Sequence, residues 1–278
     1  GYPSGDTLRF IASTNIWRAT STSVDPNIFG GLLMIGILLL LGRLLGALST
    51  QHSALSTAII GLPMMAIMSW ALLLSYSRGA WVGLAAGVVF LAVLRYRKAL
   101  PALVLAGVVA VVGLGNTDFG SHLVSGFKVE DQASAMRIGE YKDALNFISE
   151  YPLFGVGFGT TPNGASAITP EADIYVGVSN IYLLMALEIG LVGTAGFAAV
   201  IFTLAVWAYR RYRTTDAPGK AWIATASATL FAAGVAGIAD HYFFRFPHMV
   251  ALFWALIAIL AIATRLAPQA NQRLGSEA

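Results

Sequence analysis

Two arginines, Arg78 and Arg137, stand in settings that favour contact with a phosphate group. Arg78 lies in the turn at residues 77–81, whose small residues leave room for the guanidinium to bind phosphate through two parallel hydrogen bonds. Arg137 lies in the middle of the apolar face of an amphipathic helix predicted over 133–149, where an unpaired cation is unfavourable. We expect both side chains to contact an anion. The alternatives are that Arg78 contacts lipid at the interface and that Arg137 covers apolar surface with its stem while its head reaches lipid phosphates.

The segment 240–248 combines acidic, basic and aromatic residues. Asp240, His241 and His248 could exchange protons with a substrate, and Arg245 could bind an anion. The same composition fits an interfacial belt, in which Tyr and Phe anchor the turn and the charged groups face water. The spacing of the two histidines, with a proline between them, does not favour a metal site. The chain has no cysteine, which excludes thiolate ligands and nucleophiles, and we expect no metal and no cofactor.

Further polar positions precede or interrupt a long apolar run. Ser179 and Asn180 stand at its start, where either residue can cap a helix and where the free N–H groups of the helix can bind an anion. Glu188 falls inside the run, and an intramembrane carboxylate is either functional or paired with a Ser, Thr or Arg of another helix. Glycines alternate with other residues at 155–159, which predicts a turn that brings its backbone close to another group, or only a tight structural turn.

The elements that must position these residues are membrane-spanning helices. Hydrophobic residues make up 57% of the 278 residues, charged residues make up 11%, and the mean hydropathy is +0.71. Soluble domains carry about 25% charged residues, and membrane barrels show alternation in short strands, so both classes are excluded. Seven apolar runs are long enough to be spans: 27–48, 53–76, 80–96, 99–115, 179–209, 221–240 and 247–264.

Lysine and arginine cluster in the loops on one side of these spans. The clusters at 95–98 and 210–220, with further arginines after 264, predict a cytoplasmic side by the positive-inside rule. The candidate residues above, except Glu188 inside its span, then gather at the opposite, extracytoplasmic face, together with a loop of unusual length at 116–178. The basic residues do not form one patch, so no nucleic-acid partner is expected.

The predicted fold is an all-α polytopic transmembrane bundle with a large extracytoplasmic loop. Because seven spans and a cytoplasmic C-terminus place the start of the chain outside, and because the chain begins at Gly without a signal peptide, we expect it to be the C-terminal part of a longer protein. Its predicted regions are an extracytoplasmic segment (1–26), four spans (27–115), a large periplasmic loop (116–178), three spans (179–264) and a cytoplasmic tail (265–278).

The order of these motifs resembles the O-antigen ligase and polymerase superfamily. Members are bacterial inner-membrane glycosyltransferases of about ten to twelve helices with a large periplasmic loop, and on a shared fold the site residues decide the activity. The resemblance implies a donor glycan on undecaprenyl diphosphate and an acceptor that is a lipid A core sugar, another lipid-linked glycan or a protein hydroxyl. It rests on Asp-Pro-Asn at 25–27, Ser-Arg-Gly-Ala-Trp at 77–81, Arg137, the segment 151–159, Ser-Asn at 179–180 and Gly-Leu-Val-Gly at 190–193.

The resemblance also implies roles for individual residues. Arg78 and Arg137 correspond to the family's arginines that hold the donor diphosphate, and we add Asn27, Asn180 and Arg245 as candidate substrate-binding residues.

One position departs from the family pattern. The ligases carry a histidine, proposed as the base, where this chain has Ser179, and a serine hydroxyl is not a competent base near neutral pH. The chain is then a polymerase or other branch that uses a different base, such as Asp240, His241 or His248; or a non-catalytic relative; or it carries an altered residue. We favour the first explanation.

The leading hypothesis is a metal-independent glycosyltransferase of the inner membrane that works at the periplasmic face. A non-catalytic assembly subunit and a polysaccharide or lipid transporter are the alternatives. A transporter places its polar residues near the middle of the membrane on broken helices, whereas in this sequence they concentrate at one interface.

Overall fold

The computed structural model describes residues 10–11, 16–23, 25–50, 54–115, 117, 120, 132–159 and 178–266, and within these ranges the chain is almost entirely helical. A short antiparallel ladder joins β1 (Phe10–Ile11) to β2 (Ile16–Trp17). Much of the predicted loop at 116–178 lies outside the described residues. The helices are α1 (Pro26–Thr50), α2 (Ala54–Leu74), α3 (Arg78–Leu94), α4 (Leu100–Leu114), α5 (Gln132–Glu150), α6 (Ile181–Thr214), α7 (Ala217–Ala236), α8 (Tyr242–Arg245) and α9 (Pro247–Leu266).

The predicted class, an all-α membrane protein, is confirmed, while the count of seven spans stays a prediction. Four described helices are long and apolar enough to cross a membrane: Pro26–Ala47, Leu55–Leu74, Ile181–Thr214 and Pro247–Leu266. The helix α3 is apolar but shorter. The 15 residues of α4 extend about 22 Å, less than the hydrocarbon thickness of about 30 Å. The helix α7 is rich in Ala, Gly, Ser and Thr, which lowers its hydropathy.

Helix α7 lies at the centre of the bundle because its small residues allow close approach. Ala224, Ala228 and Ala232 are buried between its neighbours. On α3, Gly83 and Gly87 face this helix so closely that a Cβ on Gly83 would lie 2.9 Å from the carbonyl oxygen of Ala232. Contacts between small residues are the usual way in which helices associate in lipid. The fixed position of α7 in turn fixes the turn that follows it, which contains Asp240.

Polar contacts join the helix ends at one end of the bundle. Tyr212 at the end of α6 donates a hydrogen bond from Oη to the carbonyl of Leu94 at 2.8 Å. Arg95 donates to the carbonyl of Ala217 at 3.3 Å. The basic loops predicted to be cytoplasmic therefore meet at one end, and the candidate site residues lie at the opposite end.

The helix α6 is broken at Gly190. This residue has φ 69° and ψ 177° inside an otherwise helical segment, and the segment 151–159 packs into the break through its own backbone. Four hydrogen bonds join the two: Val156 N to Leu187 O at 2.9 Å, Gly157 N to Glu188 O at 3.0 Å, Leu191 N to Pro152 O at 2.8 Å and Val192 N to Leu153 O at 3.2 Å. The glycine pattern at 155–159 therefore serves a close backbone approach, one of the two interpretations that the sequence left open.

Candidate functional site

The guanidinium of Arg18 joins the start of α1 to the turn that precedes α3. It donates from Nε to the carbonyl of Ser75 at 2.9 Å, and from Nη2 to the side-chain oxygen of Asn27 at 2.6 Å and the carbonyl of Tyr76 at 3.4 Å. Burial is the main cause that lowers the pKa of Arg18 to about 10, so the side chain is still protonated at neutral pH. It is therefore a fixed cation at the end of the bundle opposite the basic loops.

Asp25 and Asn27 follow in the turn that begins α1. The Asp25 carboxylate accepts the backbone N–H of Asn27 at 2.6 Å and so caps the helix. Burial raises the pKa of Asp25, and the neighbouring charge of Asp240 raises it further. The side chain of Asn27 also acts to lower the pKa of Asp240. This asparagine thus lies between Arg18 on one side and Asp240 on the other.

Asp240 lies in the turn after α7, and its side chain is only 14% exposed. Its Oδ1 accepts the backbone N–H of His241 at 2.8 Å. Burial raises the pKa of Asp240, while Arg137, the His241 N–H, Arg18 and Asn27 each act to lower it. The net direction is upward, which brings this carboxylate closer to the range in which a general base operates near neutral pH.

Arg78 and Arg137 come to this group from two other elements. Arg78 is the first residue of α3, directly after the turn held by Arg18, and Arg137 lies on α5. Both are near enough for their charges to lower the pKa of Arg18. Arg137 has the strongest charge interaction with Asp240. We call the six residues the arginine–aspartate cluster: Arg18, Asp25, Asn27, Arg78, Arg137 and Asp240.

The two histidines differ in their surroundings. His241 is buried, its ring lies 6.0 Å from the ring of Phe246, and its Nδ1 is 3.7 Å from Oδ1 of Asp240. His248 is exposed near the start of α9, and its ring centroid lies 6.3 Å from that of Phe246. Of the two, His241 is in contact with the arginine–aspartate cluster.

Ser179 and Asn180 connect α5, α6 and the end of α7. The backbone of Ser179 donates its N–H to Glu140 at 2.9 Å and accepts the hydroxyl of Tyr141 at 2.9 Å. Asn180 caps α6, accepting the N–H groups of Tyr182 at 2.9 Å and of Leu183 at 3.1 Å, and it donates from Nδ2 to the carbonyl of Ile238 at 3.1 Å. Among the interpretations made from sequence, the cap is therefore observed.

Arg245 belongs to a second polar group, built around Glu188. The buried Glu188 carboxylate pairs with Arg245 through one oxygen and accepts the N–H of Gly159 at 3.1 Å through the other. The ring of Phe158 packs against Phe244 with centroids 5.4 Å apart. This group fastens the segment 151–159 to the broken helix and to α8. It resolves the alternatives for Glu188, which pairs with an arginine of another helix.

The structure thus divides the residues that the sequence singled out. Arg78, Arg137, Asn27 and Asp240 come together in the arginine–aspartate cluster, and His241 adjoins it. Arg245 pairs with Glu188 instead. The roles of all these residues in binding or catalysis stay predictions.

Arg18 and Asp25 belong to the cluster although the sequence analysis assigned neither a role. The usable signal was charge, since both are ionisable residues in the short segment that precedes a long apolar run. The partners of Arg18 are mostly backbone carbonyls, which residue types do not reveal.

Comparison with known proteins tests the family resemblance that the motifs indicated. The O-antigen ligase family matches residues 63–198, a segment that includes Arg78, Arg137, Ser179 and the break at Gly190. No curated protein matches the chain. The resemblance expected from the motifs is thereby confirmed, and over residues 63–198 the chain is similar to the O-antigen ligase family.

Proposed function

We propose that this protein is a glycosyltransferase that moves a glycan from an undecaprenyl-diphosphate carrier to an acceptor hydroxyl at the periplasmic face of the inner membrane. The proposal rests on the similarity of residues 63–198 to the O-antigen ligase family together with the arginine–aspartate cluster.

The observation that carries it is the convergence of Arg78 and Arg137 on one group from separate elements. With Arg18 they bring three guanidiniums to two carboxylates, Asp25 and Asp240. Even with both carboxylates ionised, the cluster keeps a positive charge that complements a diphosphate. Arginines in fixed positions stabilise the charge that develops on the leaving diphosphate in the transition state.

The reaction is a displacement at the anomeric carbon of the donor sugar. The acceptor oxygen forms the new bond to that carbon, the bond to the diphosphate oxygen breaks, and its electron pair stays on the diphosphate. The proton of the acceptor hydroxyl passes to Asp240, whose raised pKa suits a base. Arg78 and Arg137 hold the diphosphate. Because a serine hydroxyl cannot take this proton near neutral pH, Ser179 is not assigned as the base.

One observation favours the transporter alternative, namely the break of α6 at Gly190 beside the buried Glu188. In transporters, the ends of broken helices point at the substrate. Here the carbonyls and N–H groups at the break bond to the backbone of the segment 151–159. The break is therefore filled by the protein's own chain. This arrangement supports a substrate site at the arginine–aspartate cluster better than one at the break.

The test is glycan transfer by full-length protein in liposomes that contain a synthetic undecaprenyl-diphosphate oligosaccharide and a lipid-linked acceptor. Arg78→Ala and Arg137→Ala are each expected to lower the rate by about 100-fold or more, as removal of a transition-state donor does. Arg43→Ala is the matched control, because Arg43 is exposed and lies far along α1 from the cluster; it should transfer at the wild-type rate. Ser179→His tests whether the position accepts a base.

Two results together would contradict the proposal. If wild-type protein transfers nothing across a range of donors and acceptors, and the two arginine variants keep the cellular phenotype, the protein acts in assembly or transport instead.

A further inference from the structure

We infer that the segment 151–159 is a membrane anchor, which inserts its exposed apolar side chains into the lipid boundary at the end of the bundle opposite the basic loops. This segment is too short to span the membrane and does not belong to any of the apolar runs that could. The contact is with the bilayer itself and does not require the proposed glycan transfer.

The length of α6 beyond its break places the segment at the boundary of the hydrocarbon layer. Residues 191–209, which lie between Gly190 and the basic residue Arg210, are 19 in number and include no charged side chain. As a helix they extend about 28 Å, close to the hydrocarbon thickness of about 30 Å. Arg210 then lies at one boundary and Gly190 at the other. Because the segment 151–159 is hydrogen-bonded to the break, it lies at the second boundary.

The side chains that the segment exposes are apolar or aromatic. Phe154, Phe158 and Leu153 are exposed by 75%, 70% and 60%, and Tyr151 by 52%; we call these four residues the apolar patch. The segment 151–159 has no charged side chain. A patch of this kind marks contact with a membrane or with another protein, and aromatic residues are enriched at the interface between hydrocarbon and water.

The apolar patch continues the exposed surface of the span in α6, which favours lipid over a protein partner. Leu191 and Val192, the first residues after the break, are 50% and 53% exposed. Their N–H groups donate to the carbonyls of Pro152 and Leu153 at 2.8 Å and 3.2 Å. Exposed apolar side chains of a membrane-spanning helix face lipid, so the apolar patch begins where a lipid-facing surface ends.

The backbone of the segment is paired in the way that a site next to lipid requires. Non-helical backbone is tolerated at membrane depth only where the protein itself satisfies its polar groups. In an unbroken helix the carbonyls of Leu187 and Glu188 would accept the N–H groups of residues 191 and 192. Here they accept those of Val156 and Gly157 instead, at 2.9 Å and 3.0 Å. The break thus exchanges two helical hydrogen bonds for four bonds to the segment.

The anchor also fixes the end of α5. This helix ends at Glu150, directly before the segment, and its Ala144 belongs to the same buried cluster as Leu184 and Leu187, which precede the break. Because the break lies at the boundary, α5 lies on the water side of it. The helix that carries Arg137 is therefore tied to the membrane surface at its end.

Nitroxide spin labels on single cysteines measure the depth of the segment in full-length protein reconstituted into phosphatidylcholine vesicles. The chain contains no cysteine, so each label reports one position. Leu153→Cys and Phe154→Cys place the label on the apolar patch, and Val200→Cys places it in the middle of the span. Lys142→Cys, at an exposed position on α5, is the matched control for partition of the label itself. The ratio of collisions with oxygen, which concentrates in hydrocarbon, to collisions with a water-soluble nickel chelate reports the depth.

We expect the ratio at Leu153→Cys and Phe154→Cys to exceed that at Lys142→Cys severalfold and to approach that at Val200→Cys. Adding phosphatidylglycerol to the vesicles should leave it unchanged, because the segment has no charge. Ratios on the segment equal to that at Lys142→Cys would overturn the anchor. Insertion that occurs only with the anionic lipid would overturn it as well, since cations would then hold the segment at the membrane. The collision ratios are measured without glycan transfer, so the anchor and the proposed function can fail separately.

Discussion

Asp240 is held in a setting that stabilises its protonated form relative to water. Burial raises its pKa more than Arg137, Arg18 and Asn27 lower it. Since the folded-state pKa is above the unfolded value, ionisation of Asp240 at neutral pH opposes folding. This cost begins to fall when the pH drops below the folded-state pKa, and it is gone once the pH is below the unfolded-state pKa. The side chain to which we assign the role of base is therefore a source of instability, as is frequent at active sites.

Asp240→Asn should accordingly separate activity from stability. Transfer should be lost because the amide cannot accept the proton, while Tm at neutral pH should rise by about 2 °C or more, the effect of roughly 1 kcal/mol in a chain of this size. The gain in Tm over wild type should shrink as the pH is lowered, since wild-type Asp240 then becomes neutral as well. Thermal unfolding in detergent at several pH values checks this. A variant that is less stable than wild type at neutral pH would contradict it.

Charge identified much of the site from sequence. In a chain with 11% charged residues, a charged residue beside an apolar run is conspicuous, and this singled out Arg78 and Asp240. Arg137 was singled out by its place on the apolar face of an amphipathic helix. Charge alone did not predict which of these ionisable side chains pair with one another. Whether Arg245 would join the cluster or pair with Glu188 depends on how α6 and α8 pack, and no local pattern specifies that contact.

At the scale of elements, the amino-acid composition of α6 did not indicate its break at Gly190. The run 179–209 is apolar throughout except for Glu188, so periodicity predicts a continuous helix. The glycines at 155–159 did indicate a close backbone approach. Their target could not be predicted, because the partner groups are the backbone atoms around Gly190, which every helix contains.

Gly190→Ala and Gly196→Ala form a matched pair on α6. A Cβ on Gly190 would collide with the backbone of Leu153 and Phe154, and the residue has φ 69°, whereas a Cβ on Gly196 meets nothing within 4 Å. We expect Gly190→Ala to destabilise by about 3 kcal/mol or more, because backbone strain and a clash combine. Gly196→Ala should be neutral or stabilise by up to about 1 kcal/mol through helix propensity. Unfolding in detergent measures both, and equal stability of the two variants would refute the docked loop.

The ion pair between Glu188 and Arg245 should also hold α6 and α8 together. Glu188→Gln leaves Arg245 without its counter-charge, and we expect a loss of about 3 kcal/mol, near the lower end for buried pairs because Arg245 is 22% exposed. Arg245→Gln should cost more, since Glu188 is 1% exposed and would be a buried unpaired charge. The double variant should lose less than the sum of the two. Additive losses in a double-mutant cycle would show that the two side chains do not interact in the membrane.

At the scale of the whole molecule, contacts at the two ends of the bundle constrain the path of the chain. Tyr212 with Leu94, and Arg95 with Ala217, place the end of α3 at the basic end. The hydrogen bond from the Tyr141 hydroxyl to the carbonyl of Ser179 places α5 at the other end. The chain must therefore cross the membrane between residues 95 and 137. In the described part of that interval, α4 is the helix available to do so.

We therefore predict that α4 spans the membrane in spite of its 15 residues. A helix of about 22 Å in a hydrocarbon layer of about 30 Å requires local thinning of the bilayer or flanking residues that reach the interface. The chain contains no cysteine, so single cysteines can be placed without a background. We choose Lys98→Cys, Gly115→Cys and Glu150→Cys, all at exposed positions.

In right-side-out vesicles, a membrane-impermeant maleimide should label Gly115→Cys and Glu150→Cys directly and should label Lys98→Cys only after the membrane is permeabilised. Labelling of all three variants in detergent is the control that each cysteine reacts with the maleimide. If Gly115→Cys needs permeabilisation while Glu150→Cys does not, the crossing lies between residues 115 and 150 and α4 is not the span. If Glu150→Cys also needs permeabilisation, α5 lies on the cytoplasmic side, where Arg137 could not meet a periplasmic Asp240, and both the sidedness and the proposed site would be wrong.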